Sequence, residues 1–388
     1  MRRFYGTLLL AGGAALMLSG VKGQQTMPAA RADQLRNRLE GAFAGLVRED
    51  SPGFAVLLKQ DGRVLVERGF GVRDLRSKAR IDPSTNFRLA SCSKQFTAMA
   101  VMLLVHDGKL RYDETLTEIF PEFPGYGKSI TVRNLLNHTS GLPDYEALMA
   151  AAERKGPIWS SQRQITDQEV LQLLEQESQG KFAPGSRWEY SNSGYVLLGL
   201  VVAKRSGQSF PSFLEQRIFA PLKMTHTLVF RKGENQVARR AYGHSKQNDV
   251  LVETDQSPTS ATQGDGGVYA NLEDLGKWDD ALTNHTLLSA TEFARAITPV
   301  ELPAAAEEKL AEGVPDSLRA LAASYGFGWF LDRKGLYPLM WHYGDTMGFK
   351  SAVLRYFEAK LTVIVLSNRT DLDAGALALK AARMVLGD

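Results

Sequence analysis

Residues Gly53–Gly69 read GFAVLLKQDGRVLVERG, and their folding decides the architecture. Gly53–Lys59 and Arg63–Gly69 are β-rich runs, and Asp61-Gly62 between them supplies the positive φ angles of a tight hairpin turn. Working outward toward the start of the chain, Leu35, Leu39, Phe43 and Leu46 fall on one stripe and predict a helix over Ala32–Arg48. In the other direction the pattern turns helical for more than two hundred residues. Helices are expected over Ser93–His106, closed by Gly108, and over Thr166–Gln176, opened by the capping box of Thr166 and Glu169. Ser193–Arg205 follows and stops before Gly207, and Asn271 is the natural N-cap of Asn271–Leu282.

Strand character returns from Tyr325, in Gly326–Asp332, Leu339–His342, Ser351–Phe357 and Leu361–Ser367. Turns are expected at Arg333-Lys334-Gly335 and Glu358-Ala359, and a last helix at Ala374–Leu386. The economical packing is an α+β, three-layer fold. One antiparallel sheet is built from both chain ends and flanked by the terminal helices, with a mainly helical lobe inserted between them. The sheet lobe is expected at about 29–90 and 321–388 and the helical lobe at about 91–320, leaving a cleft where they meet. The Ala/Glu-rich piece Pro303–Glu312 reads as an exposed insertion.

The sequence has 388 residues, with 46 Lys+Arg against 43 Asp+Glu. Arg2, Arg3 and Lys22 account for the whole excess, so beyond residue 23 the signs balance at 43 each. A balanced body lacks the basic face that nucleic acid requires. Arg2-Arg3, the apolar run Thr7–Leu18 and the small-residue site ending at Gly23 read as an export signal over residues 1–23. That run is too short to span a bilayer, so the expectation is a periplasmic or extracellular protein without integral membrane association once the signal is cleaved. Cys92 is the only cysteine, which rules out an intrachain disulfide and cysteine-rich zinc sites.

Ser91-Cys92-Ser93-Lys94 has the S-x-x-K spacing. The same spacing recurs at Ser19–Lys22, inside the export signal, and at Ser178–Lys181, in a polar loop. Only Ser91 follows an extended apolar stretch, Asn86–Ala90, and opens an apolar helix. Positions i and i+3 there share a face, so Lys94 reaches the Ser91 hydroxyl. A serine needs a neighbour to take its proton before it attacks a carbonyl. For lysine, that role near neutral pH requires a downward shift of about 3 pKa units, roughly 4 kcal/mol, which desolvation in a cleft and nearby cations could supply. Tyr190, in Trp188–Tyr195, is a candidate proton relay whose phenolate a nearby lysine would favour, and Asn192 would orient substrate or Lys94. Trp341–Phe349 ends a C-terminal strand. There Gly344 allows close backbone approach, the Asp345 N–H is a candidate oxyanion donor, and His342 is either a neutral hydrogen-bonding group or a cation.

These segments together resemble the serine β-lactamase and penicillin-binding-protein superfamily, in its class C-like branch. Ser91-x-x-Lys94 is similar to its first motif, Tyr190-x-Asn192 to its second and His342-x-Gly344 to its third. Ile130–Leu142 (ITVRNLLNHTSGL), Gly264–Tyr269 and Pro221–Met224 agree as well, in the same order along the chain. The resemblance implies a β-lactamase/transpeptidase-like fold and a serine acyl-enzyme mechanism without metal or cofactor. It casts Ser91 as nucleophile, Lys94 and Tyr190 as the acid/base pair and Asn192 as the orienting residue; together with Asn192, the residues His342, Gly344 and Asp345 are expected to bind substrate. The expected substrate is a small ester, a D-amino-acid peptide or other amide, or a β-lactam. The alternative is a non-catalytic sensor of cell-wall fragments. Members that hydrolyse β-lactams usually carry Lys-Thr-Gly where this chain has His342-Tyr343-Gly344, which speaks against strong β-lactamase activity and leaves room for esterase or peptidase work.

Cys92 reads as packing rather than as a nucleophile, and His138 with Ser140 as a structural turn. The six histidines show no H-E-x-x-H or H-x-H pair, so a metal site is not indicated. Neither G-x-S-x-G nor a phosphate-binding G-x-x-x-x-G-K-[ST] loop occurs.

Overall fold

A computed structural model describes residues 29–302, 314–333 and 335–387. The segment expected to be an export signal, residues 1–23, and the Pro303–Glu312 piece lie outside the described residues. Twelve strands are described in chain order: β1 (Phe54–Gln60), β2 (Arg63–Phe70), β3 (Phe87–Arg88), β4 (Leu228–Val229), β5 (His244–Gln247), β6 (Val250–Glu253), β7 (Val268–Ala270), β8 (Ser324–Tyr325), β9 (Phe330–Asp332), β10 (Leu339–Thr346), β11 (Phe349–Tyr356) and β12 (Leu361–Ser367). The main sheet has the order β2-β1-β12-β11-β10-β9-β8 and is antiparallel throughout. Its two halves join where β1 pairs with β12, from Phe54 opposite Ser367 to Gln60 opposite Leu361.

Alternation along β1 explains the layering. Phe54, Val56 and Leu58 pack with Leu35, Leu39, Phe43, Leu377 and Ala381 of the two terminal helices, Ala29–Phe43 and Ala374–Leu386. Ala55 and Leu57 face the other way, into a cluster with Phe96, Met99, Leu275 and Trp278. Both faces of the sheet are therefore covered, which is why β1 and β12 read as continuous apolar runs. At the centre of the helical layer, Lys94–His106 is buried from Lys94 through Leu104, as a helix apolar on all sides must be.

Three features differ from the sequence reading. The first helix ends at Phe43 and is followed by a tight turn over Ala44–Leu46. Of the strand expected at Gly326–Asp332 only Phe330–Asp332 is extended, as β9; β8 lies ahead of it at Ser324–Tyr325, and Gly328 at φ +77° sits in the turn between the two. The middle of the chain is not purely helical. It holds a small sheet of order β3-β7-β4 and the β5–β6 hairpin, whose turn places Asn248 and Asp249 at φ +47° and +63°. Strands of two to four residues carry no periodicity to read.

The extent of β10 matters for the site. It pairs with β11 along its whole length but with β9 only from Leu339 to Trp341. Beyond Trp341 its outer edge has no strand beside it among the described residues, and it borders the turn Ala90–Ser93. There Cys92 Sγ lies 3.5 Å from the His342 carbonyl.

Candidate active site

The turn Ala90–Ser93 leads into the Lys94–His106 helix, and Ala90 sits at φ +49°, a region that costs a residue with a Cβ about 1–2 kcal/mol. The flanking contacts hold it there. The Leu89 N–H donates to the Val268 carbonyl at 2.9 Å, and the Leu89 carbonyl accepts from Ser351 Oγ at 2.7 Å. The conformation leaves Ser91 half-exposed while Ala90, Cys92, Ser93 and Lys94 are buried.

Lys94 is fully buried, and Nζ spends its three donors on Ser91 Oγ at 3.0 Å, Asn192 Oδ1 at 2.8 Å and the Asp265 carbonyl at 2.9 Å. The Tyr190 and Tyr195 rings lie 4.9 and 5.5 Å from the same nitrogen. Burial brings the Lys94 pKa down to about 8, against the opposing pull of Asp265, Cys92 and Glu146. Asn192 is fixed as the first residue of the Asn192–Ser206 helix, whose N-cap Ser191 accepts from the Gly194 N–H at 3.2 Å.

Tyr190 departs from the expected phenolate. Its hydroxyl is shut off from solvent without a well-formed hydrogen bond, and burial pushes its pKa well above 10. Tyr343 raises it further, and Ser91 is the group that lowers it. The aromatic setting explains this, with the His138, Trp188 and Phe330 rings 4.4, 6.3 and 6.4 Å away. The resting pair is thus a phenol beside a lysine that deprotonates more readily.

His342 takes the first of its two expected forms, the neutral hydrogen-bonding group. Its ring is fully buried, with Nε2 accepting from the Tyr325 hydroxyl at 3.0 Å and Nδ1 donating to the Tyr343 carbonyl at 2.6 Å. Burial first, and the Lys94 charge second, bring its pKa down to about 3. His342 is neutral and braces the wall behind Tyr190; it presents no cation to a ligand. Gly344 brings β10 against the Ala90–Ser93 turn, for a Cβ there would lie 2.1 Å from the Leu89 carbonyl oxygen and 2.3 Å from Ser351 Oγ. The Asp345 side chain is half-exposed and pairs with Lys350 across the strands at 2.7 Å. The Cys92 thiol is fully buried and pushed up to about 12 by burial.

Two contributors escaped the sequence reading. Asp265 places a carbonyl on Lys94; its segment Gly264–Tyr269 carried part of the family resemblance, but nothing in it pointed to a contact with the lysine. His138, at φ +62°, accepts from the Ser191 N–H through Nδ1 at 3.1 Å and so holds the Tyr190–Asn192 segment. Nothing local in the sequence links it to a tyrosine some fifty residues later.

Known proteins share this arrangement of chain. A Bacillus subtilis penicillin-binding protein is 33% identical over 367 residues, which cover 90% of this chain and 76% of the relative. Among solved structures, a D-amino acid amidase from Ochrobactrum anthropi SV3, complexed with D-phenylalanine, matches with a TM-score of 0.74 and 27% identity, covering 91% of this chain and 98% of the amidase. An octameric penicillin-binding protein homologue from Pyrococcus abyssi has the same TM-score of 0.74 at 24% identity over 93% of this chain and 78% of its own, a likeness of fold alone. A family model described as Beta-lactamase covers residues 35–386, taking in the sheet, both helical layers and every member of the Ser91 cluster, and the chain accordingly belongs to that family.

Proposed function

We propose that this chain is an exported serine hydrolase that forms an acyl-enzyme on Ser91 and cleaves small amides or esters. The observation that carries this reading is the 3.0 Å contact between Ser91 Oγ and a buried lysine whose pKa is brought down to about 8. Neutral Lys94 accepts the Ser91 proton as Oγ attacks the carbonyl carbon. The oxyanion gathers between the Ser91 N–H at the helix start and the Asp345 N–H of β10. Tyr190, protonated at rest, gives its proton to the departing nitrogen or oxygen and recovers one from Lys94. Water then cleaves the acyl-enzyme by the reverse sequence.

Charge near Ser91 favours substrates without a carboxylate beside the scissile bond. The neutral, buried His342 leaves no cation at the position where β-lactam-hydrolysing members usually carry lysine, while Asp265 and Glu146 both act on Lys94. The likeness to an amidase seen with D-phenylalanine supports the same side of the choice.

The test is parallel turnover of D-phenylalanine amide, a short nitrophenyl ester and nitrocefin. We expect the amide or the ester to be hydrolysed well ahead of nitrocefin, Ser91→Ala to lose at least about 10³-fold in kcat/KM, and a fluorophosphonate to label Ser91. Hydrolysis that survives Ser91→Ala, with no adduct on Ser91, sinks the mechanism. Efficient nitrocefin turnover sinks the substrate assignment alone.

A further inference from the structure

The loop 262–267 touches both central helices and is held firmly. Thr97 Oγ1 donates to the Gly264 carbonyl at 2.6 Å, and a Cβ on Gly264 would come within 2.2 Å of the Tyr195 carbonyl oxygen. This wedge delivers the Asp265 carbonyl to Lys94 Nζ. The Asp265 side chain is another matter. It is 7% exposed, Oδ2 has only the Tyr145 hydroxyl at 3.4 Å, and Oδ1 has no hydrogen-bond partner. A buried carboxylate so poorly served is costly, and the compensation in reach is the charge on Lys94.

The surroundings of Lys94 leave few rivals. On its own turn lie Ser91 and the un-ionised Cys92. Tyr190, Asn192 and Tyr195 face it from the next helix and its approach, and His138 and His342 act on the same cluster as neutral rings. From the Tyr145–Ala152 helix comes Glu146, which is solvent-exposed at the rim. Asp167 next to the loop accepts from the Gln263 N–H at 3.0 Å, and burial, aided by the Asp265 charge, pushes its carboxyl up to about 8. Asp167 therefore keeps its proton near neutral pH.

We propose that Asp265 is a positioning residue for Lys94: its carbonyl fixes the amine beside Ser91, and its buried carboxylate opposes loss of the Lys94 proton, so that this side chain sets the pH above which Ser91 is activated. The inference rests on Lys94 being the base for Ser91. Removing the negative charge destabilises the ammonium, so the lysine gives up its proton at lower pH.

The experiment records kcat/KM for a nitrophenyl ester from pH 5 to 10 in the wild type, Asp265→Asn and Glu146→Gln. Asp265→Asn keeps the main-chain carbonyl. We expect its acid limb to move about one pH unit toward acid, which reads as a several-fold gain at pH 6 relative to pH 9. Glu146→Gln shifts the limb the same way by less. A purely structural role would lower the rate at every pH and leave the limb in place, and that result overturns the proposal, as does a larger shift in Glu146→Gln. A wild type with no acid limb, or no Ser91 acylation, instead overturns Lys94 as the base. Should Asp265→Asn fail to fold, neutron diffraction from wild-type crystals at pH 7 decides. A bare carboxylate at Asp265 facing a protonated Lys94 supports the proposal, and a proton on Asp265 overturns it.

Discussion

At the scale of single residues, the site is a place where stability is given up for reactivity. Lys94 would titrate at 10.5 in the open chain and does so at about 8 when buried. Between those two values the unfolded chain holds more protons than the folded one, so stability rises with pH across that window. Below pH 8 the whole penalty stands, and 2.5 units correspond to about 3 kcal/mol. Lys94→Met should abolish ester turnover. Relative to the wild type it should also be favoured in thermal melts more at pH 6.5 than at pH 10, because only the wild type carries the buried charge at the lower pH. Comparing the two pH values cancels the loss of donors to Asn192 and Asp265, which is common to both. Equal differences in Tm at the two values would show that Lys94 is not held near 8. His342 carries the complementary lesson: a histidine reads as a titratable group until its neighbours are known, and here the Tyr325 hydroxyl and a main-chain carbonyl have already used both nitrogens.

At the scale of elements, β10 and the Ala90–Ser93 turn make the site by touching. The contact depends on Gly344, since no side chain fits between β10 and the Leu89 carbonyl. Gly344→Ala should displace the strand from the nucleophile and cost at least about 10²-fold in kcat/KM, the usual consequence of misplacing catalytic groups by about 1 Å. Labelling of Ser91 by fluorophosphonate should slow in parallel, while the far-ultraviolet circular dichroism stays that of the wild type. Undiminished turnover would remove β10 from the oxyanion site. How much of this was legible beforehand follows from the range of the interactions. The β1–β2 hairpin, β12, the Ala374–Leu386 helix and the Ser91/Lys94 pair are written in local pattern and i,i+3 spacing, and they stand close to where the sequence put them. The meeting of β10 with the Ala90–Ser93 turn, the brace from His138 and the Asp265 carbonyl depend on chain segments from about 50 to 250 residues away. No local periodicity encodes those meetings.

At the scale of the whole molecule, the sheet and the helical layer must stay in register for Ser91 and β10 to meet, and one carboxylate ties them together. Asp279, in the Leu272–Thr283 helix, is 6% exposed and bonds three strands at once. Arg355 of β11 donates from Nε at 2.7 Å, Thr362 of β12 from Oγ1 at 2.6 Å, and Lys59 of β1 lies 3.3 Å away. Burial works against the charge, but Arg355, Thr362 and Lys59 outweigh it and hold the carboxyl below its ordinary value. Its contribution is therefore present above the usual carboxylate range and is lost as pH falls through the folded-state value. In Asp279→Ala, Lys59 keeps Asp280, whereas the largely buried Arg355 loses its charge partner and Thr362 its acceptor. We expect destabilisation by about 3 kcal/mol in urea unfolding at pH 7, shrinking toward pH 3, because an unpaired buried charge costs more than an absent pair. Arg355→Met in the Asp279→Ala background should recover part of that loss. None of these residues touches the Ser91 cluster, so kcat measured well below the melting temperature should stay within about 2-fold of the wild type. A collapse of kcat in a folded Asp279→Ala protein would mean that the tie positions the catalytic groups as well as holding the layers together.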